Sequence, residues 1–175
     1  MFGARETTRN PARAIRITQA IAQVLGVLIL TWACHAPVVA QGVTAAADLQ
    51  GAARAAAGAG VPLVLFFSEP GCPYCMRARS DFLVPMLADP STAARLRMLE
   101  VDISGAAMLT DFSGRRTSAA QFSRDQGVRF VPTLKFYDGH GAELAPPLVG
   151  LTLPEFYPLQ IDRRLEQAAG RLRAR

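Results

Sequence analysis

The sequence predicts a single α/β domain, a central mixed sheet flanked by helices, preceded by an N-terminal export segment. Three observations carry this reading. Strand-like apolar runs alternate with amphipathic stretches of helical period. One run, "VPLVLFFS", is continuously apolar, as in strands buried on both faces of a sheet. Residues 1–40 differ in composition from everything that follows. Half of the 175 residues are hydrophobic, enough for one core that does not depend on disulfide staples.

At the N-terminus, Arg5, Arg9, Arg13 and Arg16 give a basic start opposed only by Glu6. The run from Ile17 to Ala33 carries no charge, and Val38 and Ala40 stand at −3 and −1 of a cleavage point before Gln41. A basic region, an apolar region and a small-x-small site read as a secretory signal peptide over residues 1–40, leaving a domain over residues 41–175. One alternative is an uncleaved membrane anchor, for which the run is slightly short and is interrupted by Thr18, Gln19 and Gln23. Another is lipidation at Cys34, which Thr31 and Trp32 fit poorly. The net charge of +5 divides into +3 for residues 1–40 and +2 for the remainder. So mild a basicity gives no argument for a nucleic-acid partner. Cleavage also removes Cys34 from the three cysteines, leaving one Cys-x-x-Cys pair in an oxidising compartment.

The elements follow in order. The Ala-rich stretch predicts a surface helix from about Ala45 to the glycines Gly58 and Gly60. The buried strand "VPLVLFFS" comes next. "PYCMRARSDFLVPML" then has its apolar residues spaced for an amphipathic helix, with Pro73 in the first turn and Pro85 expected to kink or end it. "DPSTAARL" predicts a short helix and "RMLEVDI" a second strand. Residues 104–121 are polar and turn-rich. From Ser118, the S-x-x-Q pattern ending at Gln121 opens a helix to about Gln126, stopped by Gly127. A strand over Thr133–Tyr137, a turn at "DGHG" and a strand near Leu144–Val149 form a hairpin. A second capping box, Thr152 with Glu155, opens a last helix to about Ala169, after which the Arg-rich tail is expected to fray. Alternating strands and helices imply parallel pairing by right-handed crossovers, apart from that final hairpin.

The chemistry is carried by "SEPGCPYC", Ser68 to Cys75. Cys72 falls at a strand-to-helix junction, where unpaired N–H groups and the helix dipole favour a thiolate. Cys75 lies one turn further, close enough to close a small disulfide and resolve a mixed one. Zinc needs four ligands, and after residue 40 only these two cysteines and His140 remain. A purely structural disulfide would gain little, because so short a loop removes little chain entropy.

"LVLFFSEPGCPYC" together with "VRFVPTLKFYD" resembles the thioredoxin superfamily, over roughly Val43 to Ala169. The resemblance implies a thioredoxin-like fold, a redox disulfide between Cys72 and Cys75, and a cis Val131–Pro132 bond facing it. It also implies substrate contacts from the Val131 backbone, Pro132 and Gly150; Tyr74 is a further candidate for packing beside the substrate, with pointing to solvent from the helix start as the alternative, and no cofactor is expected. Two departures matter. Thioredoxins carry Trp-Cys-Gly-Pro-Cys, whereas Gly71 precedes Cys72 here and Pro73-Tyr74 is the dipeptide of glutaredoxins. The family's buried acid, six residues before the first cysteine, is replaced by Phe66. Glu69 is the remaining candidate for proton transfer with Cys75, and a solvated loop acid is the simpler reading of it. The "PGCPYC" segment and Asp111-Phe112-Ser113-Gly114 further resemble exported bacterial thioredoxin-like proteins, including SoxW-like and SoxS-like thioredoxins associated with sulfur oxidation.

The expected protein is therefore a periplasmic thiol–disulfide oxidoreductase. Its expected partners are a substrate protein bearing a disulfide or reactive thiol and a membrane electron donor. Membrane contact is expected only through an uncleaved N-terminal segment. Two alternatives stay open on the residues: a glutathione-dependent enzyme using Cys-Pro-Tyr-Cys, and a non-catalytic Cu(I)-handling module using the two thiolates.

Overall fold

The computed structural model describes residues 42–175; the predicted signal peptide, with Cys34, lies outside them. The first helix, α1 (Leu49–Gly58), begins later than the composition suggests. Thr44 and Ala46 exchange backbone hydrogen bonds with Glu100, each at 2.8 Å, so this segment pairs with a strand before the helix can start. Asp48 then caps α1 by accepting the Gly51 N–H at 2.9 Å. Leu49, Ala53 and Ala56 form its buried stripe.

β1 (Leu63–Ser68) is buried at every position, as its continuous apolar sequence requires. The chain next enters α2 (Pro73–Arg77), a π-helical stretch (Ala78–Leu83) and α3 (Val84–Ala88). Pro85 was expected to kink or end this helix. The helix ends three residues after Pro85, and before it the turn widens, the Val84 N–H reaching back to the Arg79 carbonyl. Asp89 caps α4 (Pro90–Ala93) with the N–H groups of Ser91 and Thr92. β2 (Arg97–Asp102) follows.

The polar insertion folds into an antiparallel hairpin that the sequence did not announce, β3 (Met108–Thr110) with β4 (Arg116–Ser118). Its turn is tied by Asp111, whose carboxylate accepts the backbone N–H groups of Ser113 and Arg115, each at 2.9 Å. Ser118 caps α5 (Ala119–Asp125) by accepting the Gln121 N–H. The reciprocal half of that capping box is absent, because the Gln121 side-chain oxygen accepts from Arg124, at 2.7 Å, while its NH2 donates to Asp125, also at 2.7 Å. Gly127, at φ 69°, ends the turn. β5 (Thr133–Tyr137) and β6 (Glu143–Val149) pair as the predicted hairpin. The Thr152–Glu155 capping box does not form. Leu153 precedes a 3₁₀ turn, Pro154–Phe156, with no side-chain cap. The last helix, α6 (Tyr157–Arg173), runs past Gly170 rather than fraying there. Arg175 beyond it pairs with the buried carboxylate of Asp138.

The sheet order is β2-β1-β5-β6. β1 and β2 are parallel, as expected, but β5 runs antiparallel to β1. The chain is not carried back along the sheet between β2 and β5. β5 therefore starts beside the C-terminal end of β1, with Thr133 opposite Phe67, and runs the other way. On one face Val64, Phe66, Leu134 and Phe136 pack with Cys75, Ala78 and the α6 residues Tyr157, Ile161, Leu165 and Ala168. On the other, Leu63, Leu65, Phe67 and Tyr137 pack with α1, Leu109, Ala119 and Phe122. No helix among the described residues is long and apolar enough to cross a membrane.

Candidate active site

Register alone assembles the site. Ser68 ends β1 opposite Asp102, Thr133 opens β5 opposite Phe67, and Val149 ends β6 opposite Thr133. The segments that leave these strand ends carry Cys72, Pro132 and Gly150, so all three gather at one end of the sheet.

Cys72 is the N-cap of α2 and is joined to Cys75 by a disulfide with Cα atoms 5.2 Å apart. Its Sγ accepts the backbone N–H of Cys75 at 3.1 Å. The same donor is available to a Cys72 thiolate once the disulfide opens, and the helix terminus favours that charge. Cys72 is half-buried, whereas Cys75 has no exposed surface. Of the two sulfurs, Cys72 is therefore the one open to the outside, and Cys75 is enclosed. Gly71, at φ 76°, turns the chain from the loop into the cysteines, a conformation that favours glycine.

The Val131–Pro132 bond is cis. Val131 and Cys72 border the same core cluster. Pro132 is buried, and its carbonyl accepts the Gly150 N–H at 2.7 Å. Gly150 is at φ 77°, and a Cβ there would meet only Thr152, at 3.7 Å. Backbone conformation, not lack of space, is what calls for glycine at this position. Tyr74 stands 62% exposed at the helix start. Glu69 is exposed in the loop, its carbonyl accepting the Cys72 N–H at 3.2 Å. Its side chain has no ion-pair partner among the described residues, unlike the acid described next.

Sequence reasoning missed Glu100. It lies opposite Phe66 in the β1–β2 register, on the face of the sheet that holds Cys75. Its carboxylate takes the Ser68 hydroxyl and the Arg79 guanidinium. Arg79 stands four residues past Cys75, with its guanidinium carbon 5.6 Å from the centre of the Phe66 ring. Where thioredoxins place an acid on β1, this chain has an aromatic ring, and the partly buried acid opposite it, one strand over, is already paired. The alternation of β2 marks Glu100 as belonging to one face, but which residue it opposes depends on register.

A cysteine pair at the start of a helix after the first central strand, with a cis proline at the same end of the sheet, defines a dithiol–disulfide redox domain. The Thioredoxin-like domain family matches residues 49–167, and the chain belongs to that family. No curated protein matches the sequence. Among solved structures it is similar to a poplar thioredoxin h mutant, at 16% identity and a TM-score of 0.50, with 75% of this chain and 92% of that chain covered. It is also similar to a thioredoxin from Malassezia sympodialis, at 16% identity and a TM-score of 0.49, with 77% and 98% covered. A thioredoxin-fold protein from Helicobacter pylori has 18% identity and a TM-score of 0.42, with 66% and 84% covered. The family and the Cys72–Cys75 pair support thiol–disulfide oxidoreductase chemistry in general.

Proposed function

We propose that this protein is an exported thiol–disulfide oxidoreductase that reduces a disulfide or thiol adduct on a partner protein. The observation that carries the reading is the asymmetric burial of the Cys72–Cys75 disulfide, at the same end of the sheet as the cis proline. In the reductive direction, the Cys72 thiolate attacks one sulfur of the partner disulfide, and the other partner sulfur leaves and takes a proton. Cys75, losing its proton, then attacks Cys72 of the mixed disulfide and releases the second partner thiol. One disulfide has been broken and one formed, with two electrons and two protons passed to the partner. A dithiol–disulfide carrier on the membrane resets the pair by the reverse exchange. In this reading Val131 and Pro132 border the partner's chain, Gly150 holds Pro132 in place, and Tyr74 lies against the incoming sulfur.

Glu69 faces solvent, so its part is proton exchange through water. Glu69→Gln is expected to slow exchange by only about twofold, against the hundredfold or more that a directly placed base contributes. Residues 1–40 are proposed as a cleaved signal peptide and residues 41–175 as the periplasmic domain. The "PGCPYC" and "DFSG" segments support a partner of the kind served by exported sulfur-oxidation thioredoxins.

The test is thiol trapping. Cys72→Ser should abolish reduction of a protein disulfide, while Cys75→Ser should accumulate a mixed disulfide through Cys72. Full activity in Cys72→Ser overturns the reading. Equilibration with glutathione buffers then gives the direction. A potential near about −270 mV marks a reductant, and one near about −120 mV an oxidant.

A further inference from the structure

Beside the cis proline, one side chain is exposed with no structural reason of its own. Phe130 is 69% exposed, more than any other large hydrophobic among the described residues. Its backbone is fixed, since its carbonyl accepts the Thr133 hydroxyl at 2.8 Å. It adjoins an open depression of about 210 Å³, whose lining includes Val128, Thr133, Pro147 and Val149. Val149 is itself 48% exposed, so apolar surface continues from Phe130 onto the edge strand β6.

Two features say what could sit there. Pro146 and Pro147 leave β6 without two backbone donors, which discourages a partner from adding a strand along that stretch. Recognition at this place therefore falls to side chains. The rim is also positive. Lys135 is occupied by Glu143, at 2.6 Å, and by the Gln126 carbonyl, at 2.7 Å. Asp125, the other nearby acid, takes the Gln121 amide. Arg129 lines the same depression and has no acidic partner among the described residues.

We infer that Phe130 and the depression beside it select partner segments carrying an aromatic or aliphatic side chain next to the reactive cysteine, with a carboxylate reaching Arg129. The inference rests on the oxidoreductase reading and names its partner's chemistry. Phe130 directly precedes Val131, which borders both core clusters, one of which it shares with Cys72. A partner chain held at Val131 thus brings its neighbouring side chain over this ring.

The experiment compares two short peptides, each dimerised through its one cysteine and differing only in the flanking pair, Phe and Glu in one, Ser and Lys in the other. The reduced protein should reduce the first about tenfold faster, the range expected for an apolar group entering an apolar pocket. In Phe130→Ser, with an unchanged thermal transition, the ratio should fall below about threefold, while Phe130→Tyr should keep it. Arg129→Ala should remove only the part of the preference that salt screens. Equal rates for the two peptides with the wild-type protein, or an undiminished ratio in Phe130→Ser, overturn the inference while leaving the oxidoreductase reading intact. A wild-type protein that reduces neither peptide nor 2-hydroxyethyl disulfide overturns both.

Discussion

Gly150 carries a constraint invisible in its own neighbourhood. Its φ of 77° lets its N–H meet the Pro132 carbonyl at 2.7 Å, so the end of β6 holds the cis proline from behind. Gly150→Ala should cost about 1–2 kcal/mol, the usual penalty for an L-residue in the left-handed region. A lower urea midpoint with an unchanged slope would register it. Phe66 illustrates the opposite case. It stands where the resemblance leads one to look for an acid, and the structure buries it fully under the Arg79 guanidinium. The acid on that face, Glu100, neutralises Arg79 and is not free to face Cys75 alone.

At the scale of elements, most were legible in place and type, and the three-residue strands were not. β1 stands close to where the sequence places it because a continuous apolar run leaves few alternatives, and β5 does so although Lys135 interrupts its apolar residues. α5 starts at its predicted cap for a local reason of its own, the Ser118 hydroxyl accepting the Gln121 N–H. The β3–β4 hairpin escaped because each strand has three residues, too few for a period to show. Its turn depends on Asp111. Burial works to raise the pKa of that carboxyl, but hydrogen bonds from Ser113 and Arg115 outweigh it and hold the value below the usual 3.8. A carboxylate whose folded pKa is lowered stabilises above its unfolded value and loses that contribution as pH falls through the folded one. Asp111→Asn should therefore lower stability by about 1 kcal/mol near neutrality. Thermal unfolding should show the gap to the wild type closing as pH drops below about 4.

Across the whole molecule, the active site exists because two buried faces fix the register of one sheet. Phe67 is fully buried, stacked 6.3 Å from Phe122 on the face that α1 covers. It also pairs with Thr133, directly after the cis proline. Phe67→Ala should cost about 3–5 kcal/mol, as for other large-to-small changes in cores. Chemical denaturation would measure that cost. The loss should spread to the site, because the same strand pairing that Phe67 anchors brings the segment carrying Pro132 to the end of the sheet where β1 leads to Cys72. An accelerated reaction of Cys75 with an alkylating reagent in the reduced variant would report the loosening.

By itself the sequence determined the local chemistry: a buried first strand, a cysteine at the start of a helix with its partner one turn on, a proline opening β5, and caps at Ser118 and Gly127. Each follows from neighbours within a few residues, where steric limits and hydrogen bonds act directly. Only the tertiary structure decided that β5 runs against β1, that Thr44 and Ala46 pair with Glu100 before α1 begins, and that Thr152 does not cap the last helix. The same long-range packing placed Glu100 opposite Phe66 and left Phe130 outside both cores. Those outcomes depend on register and direction between segments far apart in the chain, which are fixed only when the two faces of the sheet are buried together.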